Sequence, residues 1–127
     1  MKLLVTMVLL ISSLFADITW YDYDDAIEKA QKEEKIVLVM LSREGCAACE
    51  YMKNIVFKNS NVIATLNRDY IFVHVDIHKD FVPDNMPYIG TPTFYFVDKN
   101  EKKLDKISGG KNAKSFMKKL TEVKAKS

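Results

Sequence analysis

The sequence predicts an α/β domain: a central mixed sheet of four strands, or five, flanked by helices. Three observations carry that prediction. Ile36-Val37-Leu38-Val39-Met40-Leu41 is a continuous apolar run rich in branched residues, which suits a strand buried on both faces. Stretches with apolar residues at helical spacing alternate with further short, β-prone runs along the rest of the chain. The only two cysteines, Cys46 and Cys49, open a helical stretch just after the first run, so two thiols sit beyond the carboxyl end of a strand. In open α/β sheets functional sites usually lie there.

The elements follow in order. Lys2, the apolar stretch Leu3 to Phe15, and then Ala16 before Asp17 read as a secretory signal peptide over residues 1–16. Its apolar centre is shorter than the about 20 residues a bilayer-spanning helix needs, although an uncleaved anchor is the alternative. Residues 17–127 then form one domain with enough chain to bury a core. Asp22 to Lys35 has acids in its first turn and Ala26, Ile27 and Ala30 at helical spacing, and so predicts an amphipathic helix. Trp20, Tyr21 and Tyr23 are expected to pack at its entrance. Ile36 to Leu41 is the central strand, Ser42 to Gly45 a short loop, and Cys46 to about Phe57 the next helix, with Met52, Ile55 and Val56 on one face.

Ser60 is a candidate cap for a short helix through Leu66. Tyr70 to Asp76 is a second strand, and Ile77 to Gly90, with Pro83 and Pro87, an irregular or partly helical connection. Thr93 to Val97 and Lys103 to Ile107 are two strands joined by a turn at Asp98 to Asn100. Gly109-Gly110 then breaks the chain before a last helix from about Ala113 to Val123, which Asn112 can cap.

Charge excludes some functions. Nineteen basic residues face 17 acidic ones, a net of +2, and this balance gives no support for nucleic-acid binding. No glycine loop that would cradle a phosphate is present, so no organic cofactor is expected. His74 and His78 raise the question of a zinc site with the cysteines. Cys49 lies much farther from His74 than the about 12 residues of the compact zinc pattern, and no metal is expected. His74 reads instead as a surface strand residue and His78 as a loop residue.

The cysteines themselves point to redox chemistry. A Cys-x-x-Cys at a helix start can close a small disulfide ring, and the helix amides and dipole favour a thiolate on the first sulfur. The pair is spaced too closely to staple distant parts of a fold. In an exported protein, where disulfides persist, it reads as a working disulfide.

Several segments together resemble the thioredoxin superfamily: the buried strand ending at Met40-Leu41, Cys46-Ala47-Ala48-Cys49 at a helix start, Val73-His74-Val75-Asp76, Gly90-Thr91-Pro92-Thr93 before an aromatic strand, and Gly109-Gly110 before a terminal helix. Asn54-Ile55-Val56-Phe57 and Asn61-Val62-Ile63 are similar to periplasmic members related to the C-terminal domain of the membrane disulfide reductase DsbD. The resemblance implies a thioredoxin fold with Cys46 as the attacking thiolate, partly exposed, and Cys49 as the more buried resolving thiol. It implies a cis Pro92 facing the cysteines, and a Thr91 backbone that pairs with an extended substrate.

Departures from the family pattern matter too. Gly45 stands where many thioredoxins keep an aromatic residue, so the substrate-binding lip around Cys46 is expected to be less apolar. Met40 and Phe72 stand where thioredoxins carry a buried acid and a lysine, which removes the usual proton acceptor for Cys49. Glu44 and Glu50 flank the motif and are candidate modulators of the thiolate, with Glu50 the simpler case of a first-turn acid on the helix dipole.

The resulting expectation is a periplasmic thiol-disulfide oxidoreductase, monomeric, acting on disulfides of exported proteins. A reductase fed by a membrane electron donor of the DsbD type is favoured. A disulfide oxidase or isomerase is the alternative enzyme, and a thioredoxin-like binding or chaperone module with a quiet disulfide is the alternative without catalysis.

Overall fold

The computed structural model describes residues 17–127, so the leader expected over residues 1–16 lies outside the described residues. Five strands form one sheet: β1 (Trp20–Tyr21), β2 (Ile36–Ser42), β3 (Tyr70–Asp76), β4 (Thr93–Val97) and β5 (Lys103–Ser108), in the order β1-β3-β2-β4-β5. β1, β3 and β2 run parallel, while β4 is antiparallel to β2 and β5 to β4. All seven residues of β2 are buried, as a strand covered on both faces must be.

Side chains alternate across the sheet, and this sorts the core into two layers. Leu38 and Met40 of β2, Tyr70 and Phe72 of β3, and Phe94 and Phe96 of β4 face one side. There they meet α2 (Ala47–Asn54), a 3-10 turn at Val56–Lys58, α3 (Ser60–Asp69) and α4 (Ala113–Lys126) through Met52, Phe57, Val62, Leu66, Phe116 and Leu120. Val37, Val39, Leu41, Val73, Tyr95 and Val97 face the other side, where α1 (Tyr23–Glu33) packs with Ala26 and Ala30. The segment between β3 and β4 adds Met86 to this second layer and contains turns but no helix.

Several boundaries differ from the sequence reading. Trp20 and Tyr21 do not simply close the entrance of α1; they pair with Phe72 and Val73 as an edge strand, which gives β3 a second hydrogen-bonded neighbour. Asn59, not Ser60, caps α3, its Oδ1 accepting from the amides of Asn61 and Val62 at 3.0 and 3.2 Å. The helix after the cysteines stops at Asn54 and tightens into the 3-10 turn, because Val56 and Phe57 turn inward onto the core. α1 ends in a left-handed residue, Glu34, at φ 54°. α4 is capped by Asn112 Oδ1, which accepts from the Ser115 amide at 2.8 Å, and is tied to β3 where Tyr70 Oη donates to the Leu120 carbonyl at 2.7 Å.

Candidate redox site

The loop from β2 to α2 turns through Gly45, whose φ of 73° favours a residue without a side chain. Space does not demand glycine there, since nothing lies within 4 Å of where a Cβ would stand; the backbone conformation does. This turn delivers Cys46 to the N-cap position of α2. Its Sγ accepts a hydrogen bond from the Cys49 amide at 3.1 Å and is bonded to Cys49 Sγ, with the Cα atoms 5.2 Å apart. A sulfur at that place feels both a free helix amide and the positive end of the helix dipole, which favours its thiolate once the disulfide is opened.

Cys46 is more enclosed than the sequence suggests, at 4% exposed against 0% for Cys49. Ala47 and Ala48 are exposed beside it, while Gly110 packs against Ala48 and Met52, and the Lys111 amide reaches Met52 Sδ at 3.4 Å. The β5–α4 turn therefore closes one flank of the pair.

The Thr91–Pro92 peptide is cis. Pro92 is buried, and its carbonyl accepts from the Gly109 amide at 2.8 Å, tying this loop to the same turn. Thr91 is half-buried, and among the described residues its Oγ1 is buried without a hydrogen-bond partner. The approach to Thr91 carries exposed apolar side chains, with Ile89 100% and Tyr88 38% exposed. An apolar surface absent at Gly45 is thus present on the segment leading into Thr91.

The flanking acids have partners of their own. Glu44 is ion-paired with Lys79 from the segment after β3, and Glu50 accepts from Asn54 Nδ2 at 3.2 Å along α2. Neither carboxylate is hydrogen-bonded to a cysteine. Met40 and Phe72 are buried in the layer that holds both cysteines, so no acid or lysine stands at those positions.

His74 is not a surface residue. It is half-buried, its Nε2 lies 2.9 Å from the Ser42 Oγ, and its ring meets Trp20 edge-on at 5.6 Å. Burial, then Lys53 of α2, hold its pKa below the ordinary 6.5, while Asp80 and Asp76 pull the other way. The signal for this was present in the sequence, because His74 alternates with Tyr70 and Phe72 and so shares their inward face. Exposed His78 donates its amide to Asp76 Oδ1 at 2.9 Å. Among the described residues, no group of three or more His, Cys, Asp or Glu side chains is arranged to hold a metal ion.

A mixed sheet with a Cys-x-x-Cys disulfide at the N-terminus of the helix after its central strand, and a cis-proline just ahead of the strand antiparallel to that central strand, defines a class of dithiol domains. The chain belongs to the thioredoxin-like domain family, whose model matches residues 23–124. Thioredoxin H4-2 of Oryza sativa subsp. japonica is 35% identical over 88 residues, covering 69% of this chain and 64% of that protein. The chain thus spans less than two thirds of the curated relatives it matches, with 55% covered in an uncharacterized protein of Archaeoglobus fulgidus. A thioredoxin from Thermus thermophilus is similar in structure, with 26% identity, a TM-score of 0.72, and coverage of 87% of this chain and 89% of that one. The reduced C-terminal domain of DsbD from Neisseria meningitidis has a TM-score of 0.61 at 18% identity, covering 78% of this chain and 91% of that one. That likeness shows the fold alone.

Proposed function

We propose that this chain is a thiol-disulfide oxidoreductase of the bacterial periplasm that reduces disulfides in exported proteins. The observation that carries the reading is the Cys46–Cys49 disulfide with Cys46 as the N-cap of α2. In the reduced protein, the Cys46 thiolate attacks a substrate disulfide, forms a mixed disulfide and releases one substrate sulfur as a thiolate. Cys49 then gives up its proton and bonds to Cys46, and the second substrate sulfur leaves. Two electrons pass to the substrate, and the protein is left with its disulfide.

Thr91 offers its backbone to an extended substrate segment, Pro92 backs the sulfurs, and Gly45 leaves the approach to Cys46 open. The oxidised pair must then be re-reduced, and a membrane electron donor of the DsbD type is the partner that fits, since the periplasm holds no reducing pool. The leader-like residues 1–16 and the fold shared with the DsbD domain support this placement, with residues 17–127 as the exported, monomeric domain.

The test is insulin-disulfide reduction. Cys46→Ala is expected to abolish it, and retained activity would sink the enzyme reading in favour of a binding module. Cys49→Ala is expected to accumulate mixed disulfides with partner proteins. Direction is read from the reduction potential: a value near about −270 mV makes the chain a reductase, and one near about −120 mV makes it an oxidase.

A further inference from the structure

We propose that one face of α2 and the lysines that open α4 form the docking surface for the protein that re-reduces the Cys46–Cys49 pair. That partner is a dithiol protein whose cysteines lie beside an apolar ridge bordered by Asp and Glu side chains. This rests on the thiol-disulfide exchange reading above and names the surface chemistry of the donor it needs.

Ala48, Tyr51 and Ile55 stand three and four positions apart along α2 and its C-cap, and so share one face. Cys49, Met52 and Val56 enter the core, whereas this face is uncovered: Ala48 is exposed, Tyr51 41% and Ile55 59%. The stripe begins inside the Cys-x-x-Cys run, at Ala48, and leads away from the disulfide. A Cβ on Gly110 would lie 3.7 Å from the Ala48 Cβ, so the β5–α4 turn borders the same face. Lys111 follows directly, with its amide on Met52 Sδ.

Lys111, Lys114 and Lys118 recur at three and four positions and are all exposed. The other lysines of α4 have carboxylate partners: Lys119 has Asp105 and Glu122, Lys124 has Asp69, and Lys126 has Asp105. Among the described residues Lys111, Lys114 and Lys118 are in no ion pair, and Glu122, one turn beyond Lys118, is turned to Lys119 at 3.5 Å. Lys114 also lies in the first turn of α4, which holds no acid and where the helix dipole disfavours a cation. These three charges add nothing to the fold, and they border the apolar stripe.

Charge elsewhere reinforces the direction. Glu44 and Glu50, which flank the cysteines, are held by Lys79 and Asn54. Exposed Asp22, Asp24, Asp25 and Asp80 gather at the β1 edge of the sheet, while α4 is tied to β5 at the other edge through Lys119 and Asp105. An acidic partner is thereby steered toward α4 before contact.

The occupant must bring sulfur to Cys46, because the stripe starts within the cysteine motif, and a lipid surface brings none. A fixed pattern of charge and apolar surface suits one recurring donor better than exported substrates of varied sequence, to which Thr91 offers its backbone. In the docked pair a donor thiolate bonds to Cys46 Sγ as the Cys46–Cys49 bond breaks, and Cys49 leaves as a thiolate that takes a proton. The donor's second thiolate then bonds to the first donor sulfur, and Cys46 leaves as a thiolate. Two electrons pass to this chain, the donor is left as a disulfide, and its two thiol protons go to Cys49 and to water.

The test reduces the oxidised protein with two synthetic dithiol peptides, each with leucines beside a Cys-x-x-Cys and then either a run of glutamates or a run of lysines. Each rate is taken relative to that peptide's rate with the neutral disulfide of mercaptoethanol, which removes differences in thiol acidity. The acidic peptide should react about tenfold faster at low salt, and the preference should shrink as salt is added. The double variant Lys114→Glu, Lys118→Glu should abolish or reverse the preference. Lys102→Glu, an exposed change beyond β4 at the far end of the sheet, should keep it. Ile55→Ser should slow both peptides about fivefold. Equal rates for the two peptides, a preference that survives the double variant, or an Ile55→Ser protein as fast as wild type overturns the docking surface. So does a charge-blind wild type that pellets with phosphatidylglycerol vesicles, which would give the lysines to a bilayer. A disulfide that neither peptide reduces overturns the exchange reading itself.

Discussion

The two faces of the sheet are built differently. The face under α2, α3 and α4 is aromatic and thick: Phe116 stacks edge-on with Phe57 and Phe94, each at 5.5 Å, and Tyr70 meets Phe96 at 6.0 Å. The opposite face is thin, with α1 brought close by Ala26 and Ala30 and the rest covered by the turns of the β3–β4 connection. The thick face holds both cysteines in its core. The thin face is covered by the connection that exposes Phe81, Tyr88 and Ile89. Stability is concentrated where the disulfide must be held in register, and exposed apolar surface is tolerated on the chain leading into Thr91.

The contrast sets the sizes of the expected mutational effects. Phe116→Ala, at a fully buried position touching two other rings, should cost about 3–5 kcal/mol in urea unfolding, a large part of what a small domain has. Ala30→Leu should cost about 1–3 kcal/mol, because the thin face has no room for a longer side chain at 0% exposure. If it cost nothing, α1 would be more loosely seated than Ala30 implies. Tyr70→Phe removes the hydroxyl that donates to the Leu120 carbonyl and should cost about 1 kcal/mol by the same measurement.

Asp105 sharpens the comparison through pH. Burial alone would raise its pKa, but Lys126, the Lys106 amide and Lys119 outweigh that and hold it below the ordinary 3.8. A carboxylate depressed in the folded state stabilises above its unfolded pKa and stops doing so as pH falls through the folded one. Asp105→Asn should therefore lower stability at neutral and basic pH, change it little below the folded pKa, and so flatten the acid-side fall, as read by urea unfolding at several pH values. Ile89→Ser, at a wholly exposed site, should change stability by less than about 0.5 kcal/mol, and a larger loss would mean that the β3–β4 connection is packed more firmly than its exposure indicates.

β2, β3 and β4 were legible in the sequence because each is a run of branched or aromatic residues bounded by turn formers, and the buried faces imposed that pattern directly. β1 was not, since two residues, Trp20 and Tyr21, carry no period and become a strand only by pairing with Phe72 and Val73. Asn59 and Ser60 are both good caps for α3, and only the backbone geometry of Asn59 decides between them. At the redox site the cysteines and the Thr91–Pro92 step stood out as short motifs. Contacts between segments distant in sequence did not: the Glu44–Lys79 pair and the Ser42–His74 hydrogen bond depend on how β2 and β3 align, and no local spacing encodes that alignment.

Trp20 is the only tryptophan in the chain, and its indole lies edge-on to His74 while remaining 36% exposed. An excited indole gives up an electron to a nearby imidazolium far more readily than to a neutral imidazole. The intrinsic fluorescence of the unlabelled protein should therefore dim as His74 becomes charged, so that an emission titration reads the protonation of that one side chain in place.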